Sequence, residues 1–319
     1  MKYAELYQAI IDYSENSEPL FISNIQRFVR ETEDRVYNAV QIPSLRKNVT
    51  GTLTAGNQYL SAPPDYLSTY SMAIIDSTNN YQYLLNKDVN FLREAYPTAV
   101  YQTPTYQGTP QSVPKYYALF GPQYNNANEL SFIVAPTPDT SYNVELHYFY
   151  YPVSIVQGSL GGTGTFTGGS LYTNGSYANV PLTYVTGITG NGAGATANIV
   201  VSGNQVTSVT IQNGGNFYIV GNQLTVSSTY IGGTGSGFVF TVNAVENADG
   251  ASWLGDNYDP VLFYGSMREA VIFMKGEQDM VSYYEKMYQE AVAQLNRLGT
   301  GLERNDAYRA GQASIKVSP

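Results

Sequence analysis

The single histidine, His147, stands two residues from Glu145 in a run that alternates like a strand, so both side chains fall on one face. Such a pair could be a general base with the carboxylate that orients it, or an ordinary hydrogen-bonded strand pair. Other carboxylates gather as Glu31, Glu33 and Asp34 on a helix and as Asp256 and Asp259 ahead of one. The first group reads as a solvated face and the second as capping, and no pair stands out at hydrolase spacing. Gly190-Asn191-Gly192-Ala193-Gly194 has the glycine density of a phosphate loop. The residues that follow, Thr196 to Val201, read as a strand, not as the helix whose amides such a loop requires. The sequence contains neither Gly-Lys-Ser/Thr nor Gly-x-Ser-x-Gly, and no aspartate lies among the glycines to bind calcium. With no cysteine in the chain, thiol chemistry and Cys-based zinc sites are excluded. The expected inventory is no catalytic residue, no cofactor and no metal.

Helical periodicity frames both ends. A first helix is expected from about Tyr3 to Tyr13. A second begins at Ser17-Glu18-Pro19 and carries Phe21, Ile25, Phe28, Thr32, Val36 and Val40 on one stripe. From Asn48 the period becomes two. Residues 50–54 and 58–61 are expected to form a hairpin around Ala55-Gly56-Asn57, with further strands at 71–75, 115–120, 129–134 and 143–151 and a short helix at 88–96. The stretch 97–114 reads as a surface loop. Asp259-Pro260 opens a helix that Lys275-Gly276 ends. A second, from about Asp279 to Leu298, puts Met280, Tyr284, Met287, Ala291, Leu295 and Leu298 on one stripe, of which Tyr284, Met287 and Leu295 are expected to face Phe21, Ile25, Phe28 and Val36 of the same or a neighbouring subunit, with Gly299 as its stop.

Between these halves, from Leu146 to Val245, 100 residues pass without an Asp, Glu, Lys or Arg and hold 19 of the 30 glycines. This composition marks an inserted β module. Gly192 to Ala197 is echoed about 43 residues later by Gly235 to Phe240, so the module is expected to have two similar halves, with a hairpin around Ser202-Gly203-Asn204 and its two ends close together. The fold class is therefore α+β: two N-terminal and two C-terminal helices in a bundle, antiparallel β elements, and an inserted all-β domain. The expected boundaries are 1–154 and 251–298 for one core, 155–250 for the insertion, and 299–319 for an extended tail. Leu302, Tyr308 and Ile315 are that tail's docking candidates, while Tyr172, Tyr177, Tyr184 and Phe217 are candidates for the insertion's surface.

The order of motifs carries a resemblance. Arg30-Glu31-Thr32-Glu33-Asp34-Arg35-Val36-Tyr37 at a helix end, Leu45 to Thr54, Tyr59 to Leu67, Leu130 to Pro138, Tyr148 to Pro152 and the closing helices from Asp259 to Leu298 resemble head-to-tail adaptor proteins of tailed bacteriophages. The resemblance covers roughly Met1 to Val153 and Ala251 to Leu298. It implies a homo-oligomeric ring, commonly of twelve subunits, seated in the virion neck between the portal protein and a tail nozzle or tail-completion protein, with tail fibres as possible neighbours. It also implies assembly in the bacterial host cytoplasm and a channel for DNA during ejection. The insertion departs from that pattern and is similar to glycine-rich β modules of phage structural proteins.

Independent of the resemblance, a net charge of −9 opposes a sequence-independent grip on nucleic acid, leaving DNA as passing cargo. No apolar run long enough for a membrane span is present, and no signal peptide is expected. The 30 tyrosines suit either interfaces or a tyrosine-rich β core. Two other readings remain: a receptor- or glycan-binding tail or decoration protein acting through the β insertion, and a virion-associated hydrolase resting only on the acidic residues.

Overall fold

Proline at the first turn, where its missing N–H is no loss, starts the longer of the two N-terminal helices. In the computed structural model, which describes residues 1–40, 42–76, 78–97, 111–123, 126–162 and 164–309, these helices are α1 (Tyr3–Ser14) and α2 (Pro19–Ala39). The fold is α+β, and the chain divides into two compact units, Met1–Val40 with Val153–Pro319, and Gln41–Pro152. This differs from the expected grouping, in which residues 41–154 shared a core with the C-terminal helices. The physical reason is that the middle strands close cores of their own, whereas the helices bury side chains against one another and against the glycine-rich strands.

Unit Gln41–Pro152 comprises β1 (Arg46–Leu53), β2 (Tyr59–Ser61), β3 (Tyr66–Ile75), β4 (Tyr81–Tyr83), β5 (Leu85–Asn86), α3 (Val89–Ala95), β6 (Tyr116–Gln123), β7 (Asn126–Ala135) and β8 (Tyr142–Tyr150). Two four-stranded sheets form, β1-β8-β3-β4 and β2-β7-β6-β5. The alternation that marked these strands places Met72, Ile74, Val144 and Leu146 of one sheet and Phe132 and Val134 of the other in a single core. Ile133 and Ala135, pointing the opposite way, pack with Leu92 of α3. The side chain of Asp88 accepts from the Asn90 amide and caps that helix. The expected hairpin of β1 with β2 does not form: β1 pairs with β8 and β2 with β7. Gly56 does take the left-handed turn conformation, but the turn carries the chain from one sheet to the other. The loop expected at 97–114 lies mostly outside the described residues.

The glycine-rich strands are β9 (Ser159–Leu160), β10 (Gly164–Tyr172), β11 (Gly175–Pro181), β12 (Thr183–Tyr184), β13 (Ala193–Ser202), β14 (Gln205–Asn216), β15 (Gln223–Thr225), β16 (Gly233–Val242) and β17 (Val245–Glu246), with a single turn of helix α4 (Ser228–Ile231). They make sheets β10-β16-β15-β12 and β11-β13-β14 and the small pair β17-β9, around one apolar cluster that includes Ile199, Leu224, Phe238 and Phe240. Gly203 and Asn204 both adopt positive φ between β13 and β14, as a two-residue hairpin demands. The ends of the stretch meet: the Asn247 amide donates to the carbonyls of both Ser154 and Ala251, at 2.7 and 2.9 Å.

Three helices complete this unit: α5 (Trp253–Asn257), α6 (Asp259–Phe273) and α7 (Gln278–Arg309). The stripe of α2 is buried as expected, but within the subunit it meets α6, not α7. Phe21 and Phe28 set their rings 6.2 and 5.3 Å from that of Phe273, and a Cβ added to Gly265 would stand 2.2 Å from a Thr32 methyl. α7 packs on α6 elsewhere, burying Tyr284, Tyr288 and Leu295, while Met280 and Leu298 of its expected stripe stay exposed because the contact with α6 follows a narrower face. α6 is thus the central helix, with buried residues on every side from Val261 to Val271. Gly299 does not stop α7, correcting the expected boundary: glycine in a helix interior costs only about 1 kcal/mol relative to alanine, and no proline follows before Pro319. Residues 299–309 are therefore helical and not an extended tail, while 310–319 lie outside the described residues.

Candidate functional site

The feature that most distinguishes this chain is the seam where α1 and α2 meet the glycine-rich strands. Tyr3 is wholly buried there. Its hydroxyl accepts from the Asn216 amide at 2.8 Å, and the Tyr3 and Tyr7 rings lie 5.2 and 5.1 Å from Phe217. Burial holds the Tyr3 hydroxyl well above the usual phenol range, so it stays neutral. Arg30 donates to Ser159 Oγ at 2.6 Å and stands 3.7 Å from Glu246, linking α2 to both strands of the β9-β17 pair.

Glu33 is the one member of the acidic helix cluster that is not on a solvated face. Only 2% exposed, it accepts from Ser154 Oγ at 2.5 Å and from the Ile155 amide at 2.8 Å. Desolvation outweighs these hydrogen bonds and the nearby Arg30, and raises the carboxyl from 4.5 to about 7. The folded state therefore binds this proton more tightly than the unfolded chain. The associated stability is complete below pH 4.5, falls as pH rises toward 7, and is gone above it. At 1.36 kcal/mol per pKa unit the span is about 3 kcal/mol. Glu33→Gln, whose amide can still serve both partners, is expected to lose that slope and to gain on the parent protein as pH rises. Urea midpoints of both proteins from pH 4.5 to 8 measure the gap, and parallel curves would show that the carboxyl titrates normally.

The other candidate chemistry does not assemble. His147 lies edge-on to Tyr70 at 5.3 Å, whereas Glu145 accepts from the Tyr81 hydroxyl at 3.1 Å, so the two are not a dyad. Glu31 pairs with Arg27 one turn away at the surface. Asp256 lies in α5, and Asp259 lies in the first turn of α6 without a side-chain cap. Among the described residues there is no cluster of acidic and histidine side chains able to hold a metal, and no helix long and apolar enough to cross a membrane.

The glycines of 190–194, already unsuited to a phosphate loop, make room for tyrosines. A Cβ on Gly192 would stand 2.3 Å from the Tyr218 ring, and one on Gly190 the same distance from the Tyr184 hydroxyl. Of the tyrosines taken as insertion surface, Tyr172 is only 2% exposed, so it belongs to the core. Tyr177 and Tyr184 are half-buried against that core, and Phe217 faces α1. Leu302 and Tyr308 fall on α7, and Ile315 lies outside the described residues.

One signal was missed in the sequence. Gly168-Gly169-Ser170-Leu171-Tyr172 returns as Gly214-Gly215-Asn216-Phe217-Tyr218. The copies match in backbone: Gly169 and Gly215 have φ of 66° and 65°, and Leu171 and Phe217 have φ of 66° and 57°. Their tyrosine hydroxyls accept alike, Tyr172 from the Phe238 amide and Tyr218 from that of Ala195.

No curated protein matches the chain. A family model, SU10 adaptor protein, matches residues 1–176, which takes in α1, α2, the whole unit of two sheets and the first glycine-rich strands. That is more than half of the 319 residues, and the chain therefore belongs to the SU10 adaptor protein family, structural adaptors of bacteriophage.

Proposed function

We propose that copies of this chain form a closed ring, with twelve as the expected number, that joins the portal vertex to the tail and leaves a central channel for DNA. The family match carries this reading. Two properties support it. A net charge of −9 keeps a DNA backbone from sticking to a conduit, and Tyr70, Tyr83, Tyr230 and Tyr283 expose more than half of their surface, as interface tyrosines do before assembly. The partners are further copies, the portal protein and a tail nozzle or completion protein, assembled in the host cytoplasm into the virion neck.

Native mass measurement of the purified protein, with and without its portal, tests the ring. The expected result is a discrete multiple of the 35 kDa subunit that persists or appears on the portal; a strict monomer under both conditions overturns the reading. The segment after Leu298 is the proposed docking element, with Leu302, Tyr308 and Ile315 as anchors. Deleting residues 300–319 is expected to leave the subunit's melting temperature within about 2 °C of the parent value, since Leu302, Ile315 and Val317 are too few apolar residues to hold a core. It should weaken assembly on the portal, and undiminished affinity of the truncated protein would remove this segment from the interface.

A further inference from the structure

The two copies of the Gly-Gly-x-x-Tyr element are built alike but are not used alike. In the second copy the left-handed residue, Phe217, is covered by a helix: Tyr3 and Tyr7, one turn apart on α1, lay their rings against it, and the preceding Asn216 donates to the Tyr3 hydroxyl. In the first copy Leu171 occupies the same backbone position with 61% of its surface exposed, and Ser170 offers a hydroxyl where Asn216 offers an amide. A leucine at φ 66° is strained, because its Cβ crowds the following carbonyl. Here that strain is not offset by burial within the chain. Asn or Gly would relieve it at an exposed site.

We propose that the Leu171 knuckle docks a helix of a second copy of this chain, and that the helix is α7 through Met280 and Tyr283. These two side chains, three residues apart on one face, are 46% and 53% exposed, while α7 turns Tyr284, Tyr288 and Leu295 inward. The match repeats the chemistry of the occupied copy: an apolar knuckle against a tyrosine-bearing helix, with a polar neighbour, Ser170, for the tyrosine hydroxyl. No charge opposes it on the knuckle side, since the run from Leu146 to Val245 carries none. Because knuckle and helix face are different surfaces of one subunit, the contact is head-to-tail, the kind that propagates and closes into a ring. The proposal rests on the ring reading and names a lateral contact within it.

The absence of cysteine permits a direct test. Leu171→Cys and Tyr283→Cys are made separately, mixed, and treated with a short bismaleimide under conditions where the parent protein assembles. The expected result is a covalent dimer in the mixture well above that from either variant alone, and a ladder from the double variant. A mixture that cross-links no better than Leu171→Cys mixed with Val200→Cys overturns the contact while leaving the ring intact. Leu171→Asn supplies the second arm: with its backbone strain relieved, the subunit should melt no lower than the parent and associate at least tenfold more weakly. Unchanged association would likewise overturn the knuckle. A parent protein that stays monomeric alone and with its portal overturns the ring reading and this contact together.

Discussion

Phe28→Ala is expected to lower the free energy of unfolding by about 3–5 kcal/mol, the range for truncating a fully buried phenylalanine. Phe28 is 4% exposed and its ring meets Phe21 at 5.8 Å and Phe273 at 5.3 Å, so its loss leaves a void between α2 and α6. The void cannot collapse easily, because the helices already touch at Gly265 and Thr32. Chemical denaturation measures the effect, and a loss below about 0.5 kcal/mol would mean that Phe28 lies at the surface.

Gly215→Ala tests the second large effect. Gly215 has φ 65°, and a Cβ there would stand 2.3 Å from the Ala193 carbonyl oxygen and 2.7 Å from the Tyr218 ring. Left-handed strain contributes roughly 1–2 kcal/mol and overpacking roughly another 1–3, for a total of about 3 kcal/mol. Gly203→Ala is the control, since its φ of 61° is similar but no atom lies within 4 Å of its added Cβ. It should lose only the first contribution. If both variants lose equal stability, the close approach between strand and tyrosine is not what requires glycine at 215.

Features that depend on a few adjacent residues were legible in the sequence. The buried stripe of α2, the short helix α3 and the Gly203-Asn204 turn all follow from local sterics and periodicity. Features set by distant partners were not. Gly56 signals a turn but not which strand each arm will join, and β1 and β2 join different sheets. α6 was overlooked as the hub because a helix buried on every side has no amphipathic stripe. Tyr172 and Glu33 were read as surface residues because tyrosine and glutamate usually keep a polar end in water. Here Tyr172 bonds the Phe238 amide, and Glu33 finds Ser154 and Ile155. The Gly-Gly-x-x-Tyr repeat, by contrast, is written in the sequence itself, 46 residues apart at Gly168 and Gly214.

The central place of α6 also has a mechanical meaning. With the Phe273 ring set beside two α2 rings, Gly265 leaving no clearance against Thr32, and α7 seated on α6 elsewhere, the helix couples α7 to α2. A force applied along α7 cannot be absorbed by sliding at α6, because packed interiors are stiff and shift between discrete arrangements. It would be delivered to α2, and through the Arg30 and Glu33 bonds to the root of the glycine-rich strands, so that a tug on the longest helix is felt at strands it does not itself hold.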